Sequence, residues 1–90
     1  MKIVFSATFA SGYRALPTEV QRRADKTIRH LAAKEGGKPF HPSLRAKRVQ
    51  GTLDIWEASV TMKYRLTFQI HEDTLYLRVI GDHDATLKRP

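Results

Sequence analysis

The second half of this sequence places several cations, one carboxylate and one titratable imidazole on short alternating segments. The residues of interest are Lys47, Arg48, Glu57, Arg65, Arg78 and His83. Guanidinium and ammonium groups bind phosphate, and an imidazole can give or take a proton near neutral pH. The combination favours a site that binds a phosphodiester and moves protons around it, which indicates RNA as the substrate.

Three of these residues are candidates for the chemical step. Arg65 would stabilise the extra charge of the transition state, because a guanidinium contacts phosphate bidentately; the alternative is a strand arginine paired with Glu57. His83 would protonate the departing 5′ oxygen or accept the 2′ proton, unless it is only hydrogen-bonded in a turn after Gly81. Glu57 would take the 2′ proton or orient Arg65, and orientation is favoured because a carboxylate among cations is a weak base.

The other candidates would bind phosphate, and one of them could also carry a proton. They are Arg45, Lys47, Arg48, Arg78 and, as an alternative proton carrier, His41. A basic strand is also a common way to protect a sheet edge, and a loop histidine beside Pro42 is more often structural. The scattered histidines lack metal-ligand spacing, so no metal is expected, and Trp56 is expected in the core rather than stacked on a base.

Composition limits the class of protein. Ninety residues make one domain, 1–90, with too little volume for a bulky cofactor. Sixteen Lys and Arg against nine Asp and Glu give a net charge of +7, which favours a polyanionic partner. Cysteine is absent, which excludes disulfides and thiolate metal sites. No apolar run approaches the roughly 18 residues of a membrane span, so a cytoplasmic protein is expected.

The N-terminal half predicts a strand followed by two helices. Residues 2–6 alternate as a strand does, and Phe9, Tyr13 and Leu16 recur at helical spacing. Pro17 ends the first helix and suits the start of a second, amphipathic helix that stops at the glycine pair 36–37.

A connector with two prolines then leads to a basic strand near 46–49, and three strands follow near 53–61, 64–71 and 74–80. Alternation places Trp56, Phe68, Leu77 and Val79 on a core face, and Glu57, Arg65, Arg78 and Ile80 on the other. The sequence therefore predicts an α+β fold in which an N-terminal strand and a helical hairpin pack on one face of a mainly antiparallel sheet. The opposite face should be open, and the tail 85–90 loosely held.

The order of these motifs resembles the RelE/ParE toxin superfamily of toxin–antitoxin systems. The resemblance rests on HPSLRAKRVQGTLDIWEASVTMKYRLTFQI and on LRVIGDHD, and it spans nearly the whole chain. It implies a fold of the microbial ribonuclease type and metal-free, cofactor-free cleavage of mRNA in the ribosome, in which the ribose 2′-hydroxyl attacks its own phosphate to give a 2′,3′-cyclic phosphate. It also implies an antitoxin partner, which should be acidic or amphipathic and partly disordered when free.

By position, Arg65 matches the arginine that stabilises the transition state in this family. His83 matches the C-terminal histidine of the branches that use one for proton transfer, and Lys47 and Arg48 match the basic strand that holds phosphate. Asp84 and Leu87 stand where some active relatives place a base-stacking aromatic residue, and the lysine pair and C-terminal tyrosine of RelE itself are missing. A gyrase inhibitor of the ParE kind and a binding domain without catalysis remain as alternatives. The nuclease interpretation requires that Arg65 and His83 converge in one positively charged hollow on the uncovered face of the sheet.

Overall fold

A computed structural model describes residues 1–90. Its elements are β1 (Lys2–Phe5), α1 (Ala7–Arg14), α2 (Thr18–Ala32), a 3₁₀ turn (Pro42–Leu44), β2 (Lys47–Arg48), β3 (Trp56–Ser59), β4 (Tyr64–His71), β5 (Thr74–Asp82) and α3 (His83–Lys88). The strands form one sheet in the order β1-β5-β4-β3-β2, antiparallel except for the β1–β5 pair. The predicted α+β class and mainly antiparallel sheet are confirmed. None of the three helices combines the length and the hydropathy that a membrane-spanning helix requires.

Local sequence explains where the helical hairpin begins and turns. The Ser6 hydroxyl caps α1 by accepting a hydrogen bond from the Phe9 N–H at 2.9 Å. Pro17 lies at the junction, directly before α2, where its missing N–H costs nothing. The Tyr13 hydroxyl donates to Asp25 Oδ1 at 2.7 Å and ties the two helices together. That hydrogen bond to a carboxylate raises the pKa of Tyr13.

The core lies between the hairpin and one face of the sheet. Its most deeply buried side chains come from α2, the 3₁₀ turn and the two long strands β4 and β5: Leu31, Leu44, Leu66, Phe68 and Leu75. Trp56 is half-buried at the margin of this core, with its ring 5.4 Å from that of Phe40. Trp56 therefore packs with apolar neighbours, as its position in the alternation predicted.

A β-bulge in β5 changes which residues face the core. Thr67 pairs with Val79 and Phe68 with Leu77, so Arg78 is the extra residue of β5. The insertion reverses the alternation beyond it, and Ile80 is buried in the core while Val79 lies on the other face with Thr67. The sequence-based prediction for Val79 and Ile80 was wrong because strict alternation does not anticipate a bulge.

The face opposite the hairpin is not fully open, because the C-terminal segment folds back across it. Thr67 on β4 and Thr86 on α3 are both completely buried. The Pro90 carbonyl oxygen accepts hydrogen bonds from Thr67 Oγ1 at 2.8 Å and from Arg78 Nε at 3.0 Å. The prediction of a loose tail at 85–90 and of an uncovered face is corrected accordingly: α3 lies on this face and leaves only part of it accessible.

Gly12 permits the close approach of α1 to β5. A Cβ at this position would lie 2.5 Å from the Ile80 carbonyl oxygen, which is closer than real Cβ atoms come. In an exposed helix Gly→Ala stabilises by about 1 kcal/mol. We expect Gly12→Ala to do the opposite and to lower the free energy of unfolding by about 1–3 kcal/mol, because α1 must move away from the sheet.

Thermal denaturation measures this effect, since each 1 kcal/mol shifts the Tm of a domain of this size by about 4–8 °C. Gly36→Ala is the matched control, because nothing lies within 4 Å of a Cβ at Gly36. A Gly12→Ala variant that melts at or above the temperature of Gly36→Ala would contradict the argument.

Candidate active site

A buried carboxylate lies at the centre of the site. Glu57 is in the middle of β3, paired with Lys47 on β2 and with Thr67 on β4, and its side chain is 3% exposed. Directly paired residues share a face of the sheet, so all three lie on the face that α3 partly covers. A carboxylate with so little access to water needs compensating positive charge from the protein.

Two cations and one imidazole, from three other elements, converge on one oxygen. Glu57 Oε1 lies 3.7 Å from Arg65 Nε, 3.7 Å from His83 Nδ1 and 4.0 Å from Lys47 Nζ. The structure therefore brings Arg65 and His83 together, although they are 18 residues apart in the sequence. We refer to Glu57, Lys47, Arg65 and His83 as the Glu57 cluster.

Arg65 is held by the turn between β3 and β4. Its Nη1 donates to the carbonyl oxygens of Met62 at 2.9 Å and Tyr64 at 3.1 Å, and also to that of Thr61. With Nε directed at Glu57, the guanidinium is fixed from two sides, and the Arg65 side chain is only 17% exposed. A cation preorganised in this way can stabilise developing negative charge without first having to move.

His83 is positioned by the start of α3. Its backbone N–H donates to the Lys63 carbonyl at 3.1 Å, and Asp82 caps the helix that His83 begins. Nδ1 is buried beside Glu57, yet the side chain as a whole is 44% exposed. The accessible side of the ring is therefore the one carrying Nε2. A carboxylate facing Nδ1 favours a proton on that nitrogen and leaves Nε2 to exchange protons with a ligand.

The carboxylate of Glu57 and the imidazole of His83 lie close together but do not form a hydrogen bond. Glu57 Oε2 and His83 Nδ1 are buried and have no hydrogen-bond partner. Native proteins leave few buried polar atoms unpaired, and those that remain unpaired call for an explanation. Hydrogen bonds of catalytic groups are often long in the absence of substrate and shorten when it binds. The geometry thus suits a pair that tightens around a ligand.

The remaining candidate residues are spread over the surface. Arg45 lines a cavity of about 220 Å³ together with Arg65. Arg78 lies on the same face of the sheet as Glu57 but bonds to Gln69 Oε1 at 2.7 Å and to the Pro90 carbonyl, outside the Glu57 cluster.

Two candidates lie away from this face. Arg48 pairs with Trp56 on the opposite face and donates from Nη1 to the Leu53 carbonyl at 3.2 Å. The His41 ring is 4.6 Å from that of His30, near α2, and its Nδ1 accepts from the Ser43 N–H. Neither Arg48 nor His41 is brought to the Glu57 cluster, although both come from segments whose composition suggested a common surface.

No protein-family model matches this sequence, and no curated protein sequence matches it significantly. Solved structures do match. The structure of the RelB-RelE antitoxin-toxin complex from Methanococcus jannaschii contains a chain that superimposes with a TM-score of 0.73 at 15% identity, covering 97% of this chain and 98% of that one. This chain has the RelE-like toxin fold.

Two further structures agree. The YoeB/ParE toxin from Agrobacterium tumefaciens gives a TM-score of 0.76 at 16% identity, with 92% of this chain and 99% of that chain covered. The intact E. coli RelBE toxin-antitoxin complex gives 0.70 at 17% identity, with 90% and 94% covered. Both matches extend over nearly the full RelE-like fold, so the resemblance inferred from the order of motifs is supported by the architecture.

Within this RelE-like fold, two residues that the sequence did not indicate line the cavity shared by Arg45 and Arg65, and they come from outside the sheet. Arg23 on α2 and Ser43 on the 3₁₀ turn both face it. Arg23 is an exposed residue of an amphipathic helix, and the approach of α2 to the β3–β4 turn is a long-range contact. No local signal in the sequence separates Arg23 from the arginines beside it.

The Asp82 cap should control the placement of His83. Asp82 Oδ1 accepts a hydrogen bond from the Ala85 N–H at 2.8 Å. We expect Asp82→Ala to lower the free energy of unfolding by about 1 kcal/mol and to speed amide hydrogen exchange in α3. Asp82→Ser should retain most of the stability and most of the protection of α3 from hydrogen exchange, because serine also caps a helix but carries no charge. Failure of the serine variant to recover would show that the charge of Asp82, and not its capping, is responsible.

Proposed function

We propose that this protein is the toxin of a toxin–antitoxin pair and that it cuts mRNA in the ribosome without a metal ion. The ribose 2′-hydroxyl attacks the adjacent phosphate, the bond from phosphorus to O5′ breaks, and the products carry a 2′,3′-cyclic phosphate and a free 5′-hydroxyl. One observation carries the proposal: Arg65 and His83 both lie 3.7 Å from the same oxygen, Oε1, of the buried Glu57 side chain.

Each member of the Glu57 cluster has a role that its surroundings support. Arg65 stabilises the charge that builds on the phosphate oxygens, as a fixed guanidinium does best. His83 delivers the proton that O5′ needs as it leaves, through Nε2 on the accessible side of its ring, and the proton released by the attacking 2′-hydroxyl passes to solvent water. Glu57 is too deeply buried to meet a ribose hydroxyl, so it orients Arg65 and His83. Lys47, 67% exposed, is available to bind a neighbouring phosphate.

The proposed antitoxin has a suitable surface away from this cluster. β1 lies at the edge of the sheet, and its apolar residues Ile3 and Phe5 are 44% and 60% exposed. With Phe9, Tyr13 and Ile28, among others, these side chains line a groove of about 380 Å³. An unpaired strand edge beside an apolar groove fits an amphipathic segment that orders on binding. Acidic residues in that segment would complement the net charge of +7.

The activity is tested with purified ribosomes carrying a defined mRNA. Cleavage that requires the ribosome and leaves a cyclic phosphate and a 5′-hydroxyl supports the proposal, provided that Arg65 and His83 variants lose it. Inhibition of gyrase supercoiling with intact RNA would instead establish the ParE-like alternative. Absence of both effects would indicate a RelE-like binding domain without catalysis.

A further inference from the structure

Two adjoining cavities lead from Arg65 along the side of α2. The first, of about 220 Å³, is lined by Arg65, Arg45 and Arg23 among others, and the second, of about 140 Å³, is lined by Arg23, Lys26 and His30 among others. Arg23, Ser43, Ser59 and Val60 line both, so the two form one continuous depression. We refer to this depression as the α2 groove.

The α2 groove is strongly and uniformly positive. Arg23, Lys26, Arg45 and Arg65 contribute four cations to its walls, and neither cavity is lined by an Asp or Glu. Arg23, Lys26 and Arg45 have no carboxylate oxygen within 4.0 Å, whereas Arg22, next to Arg23 in sequence, lies 3.7 Å from Glu19. Cations that converge in a concavity without counter-charge repel one another, and a bound anion relieves that repulsion.

The backbone at Arg45 is a separate observation that indicates function. Arg45 follows the 3₁₀ turn in a left-handed conformation, with φ of 47°. Arginine gains nothing from this region, which glycine or asparagine occupies at lower cost, and such strain tends to occur where function fixes a side chain. Here the strained residue lines the groove together with Arg65 and Arg23.

We propose that the α2 groove binds the sugar-phosphate backbone of the substrate RNA next to the cleaved bond. Arg45 and Arg23 would each contact a phosphate beyond the one at Arg65, and Lys26 would extend the path along α2. This inference rests on the proposed nuclease function, because it takes the Glu57 cluster as the point of cleavage. It adds Arg23 and Lys26, which lie on a helix rather than on the sheet.

The experiment compares two double variants that remove the same charge from the same helix. Arg23→Ala with Lys26→Ala alters the groove, whereas Arg22→Ala with Arg29→Ala alters residues that line neither cavity. All four side chains belong to exposed residues of α2, so both variants should fold, as thermal denaturation would verify. Binding is measured with a 2′-O-methyl RNA oligonucleotide, which cannot be cleaved, over a series of salt concentrations.

We expect the groove variant to make the slope of log affinity against log salt less negative by about 1.4, since each lost phosphate contact on a single strand contributes about 0.7. The control variant should retain the wild-type slope. An equal loss of RNA affinity in the two variants would show an effect of net charge only and would overturn the proposal. A wild-type protein that does not bind the oligonucleotide would overturn it as well.

Two further outcomes separate this inference from the proposed function. In the first, only the groove variant loses affinity for the oligonucleotide, but the wild-type protein does not cleave ribosome-bound mRNA. The α2 groove would then still be an RNA-binding site, and the proposed nuclease function would be wrong. A loss of affinity for ribosomes without any loss for the free oligonucleotide would show that the groove binds ribosomal RNA, which overturns its assignment to the substrate strand.

Discussion

Replacing His83 with alanine should lower the rate of RNA cleavage by about 10²- to 10⁴-fold, the usual contribution of a general acid or base. RNA affinity should change little, because the phosphate contacts come from arginine and lysine. The variant loses the only imidazole that contacts Glu57, while the backbone N–H of residue 83 keeps its bond to the Lys63 carbonyl. Single-turnover cleavage of ribosome-bound mRNA, with RNA binding measured in parallel, separates the two effects.

His71→Ala is the control for His83→Ala. His71 is 75% exposed at the end of β4 and contacts Glu72, not Glu57. Its removal should leave cleavage unchanged. Because alanine leaves space where the ring was, added imidazole should restore part of the activity of His83→Ala but should not affect the wild type. Cleavage by His83→Ala at the wild-type rate would remove His83 from the mechanism and leave it as a residue that only starts α3.

The sequence predicted the helical hairpin and β4 well because these elements have local signals. Helical periodicity and Pro17 located the hairpin, and β4 was predicted at 64–71, where the structure has Tyr64–His71. The parallel pairing of β1 with β5 and the packing of α3 on the sheet have no local signal. Residues 85–90 were predicted as a loose tail, although most of them belong to α3. This helix has only six residues, which is too few for a periodic pattern to indicate where it packs.

The candidate site was predictable only in part, for a related reason. Glu57 and Arg65 have the same parity on neighbouring strands, so alternation alone placed them together. Arg48 has the opposite parity to Lys47 and faces away, as alternation along the predicted strand at 46–49 already implies. The bulge at Arg78 and the approach of α2 to Arg65 depend on tertiary packing. The proposed chemistry therefore came from the strand pattern, whereas the proposed RNA path along Arg23 came from the three-dimensional structure.

Substitutions of Arg65 should separate its catalytic role from its structural one. Arg65→Ala leaves the buried Glu57 with weaker compensation and also removes the guanidinium that donates to the turn carbonyl of Met62. Removing one partner of a buried ion pair costs about 3–5 kcal/mol, and loss of a preorganised cation costs about 10²–10³ in rate. We therefore expect both a large drop in the free energy of unfolding and nearly complete loss of cleavage.

Glu57→Gln separates these contributions because it removes the buried charge at nearly constant volume. In the Arg65→Ala background it should recover part of the lost stability, and the double-mutant cycle between positions 57 and 65 should show a coupling energy of about 1–3 kcal/mol in urea denaturation. Arg65→Lys keeps a positive charge but cannot contact phosphate bidentately, so it should retain more stability than Arg65→Ala yet still cleave poorly. A lysine variant that cleaves at the wild-type rate would reduce Arg65 to the ion-pair partner of Glu57, because a simple charge would then suffice where the mechanism requires a guanidinium.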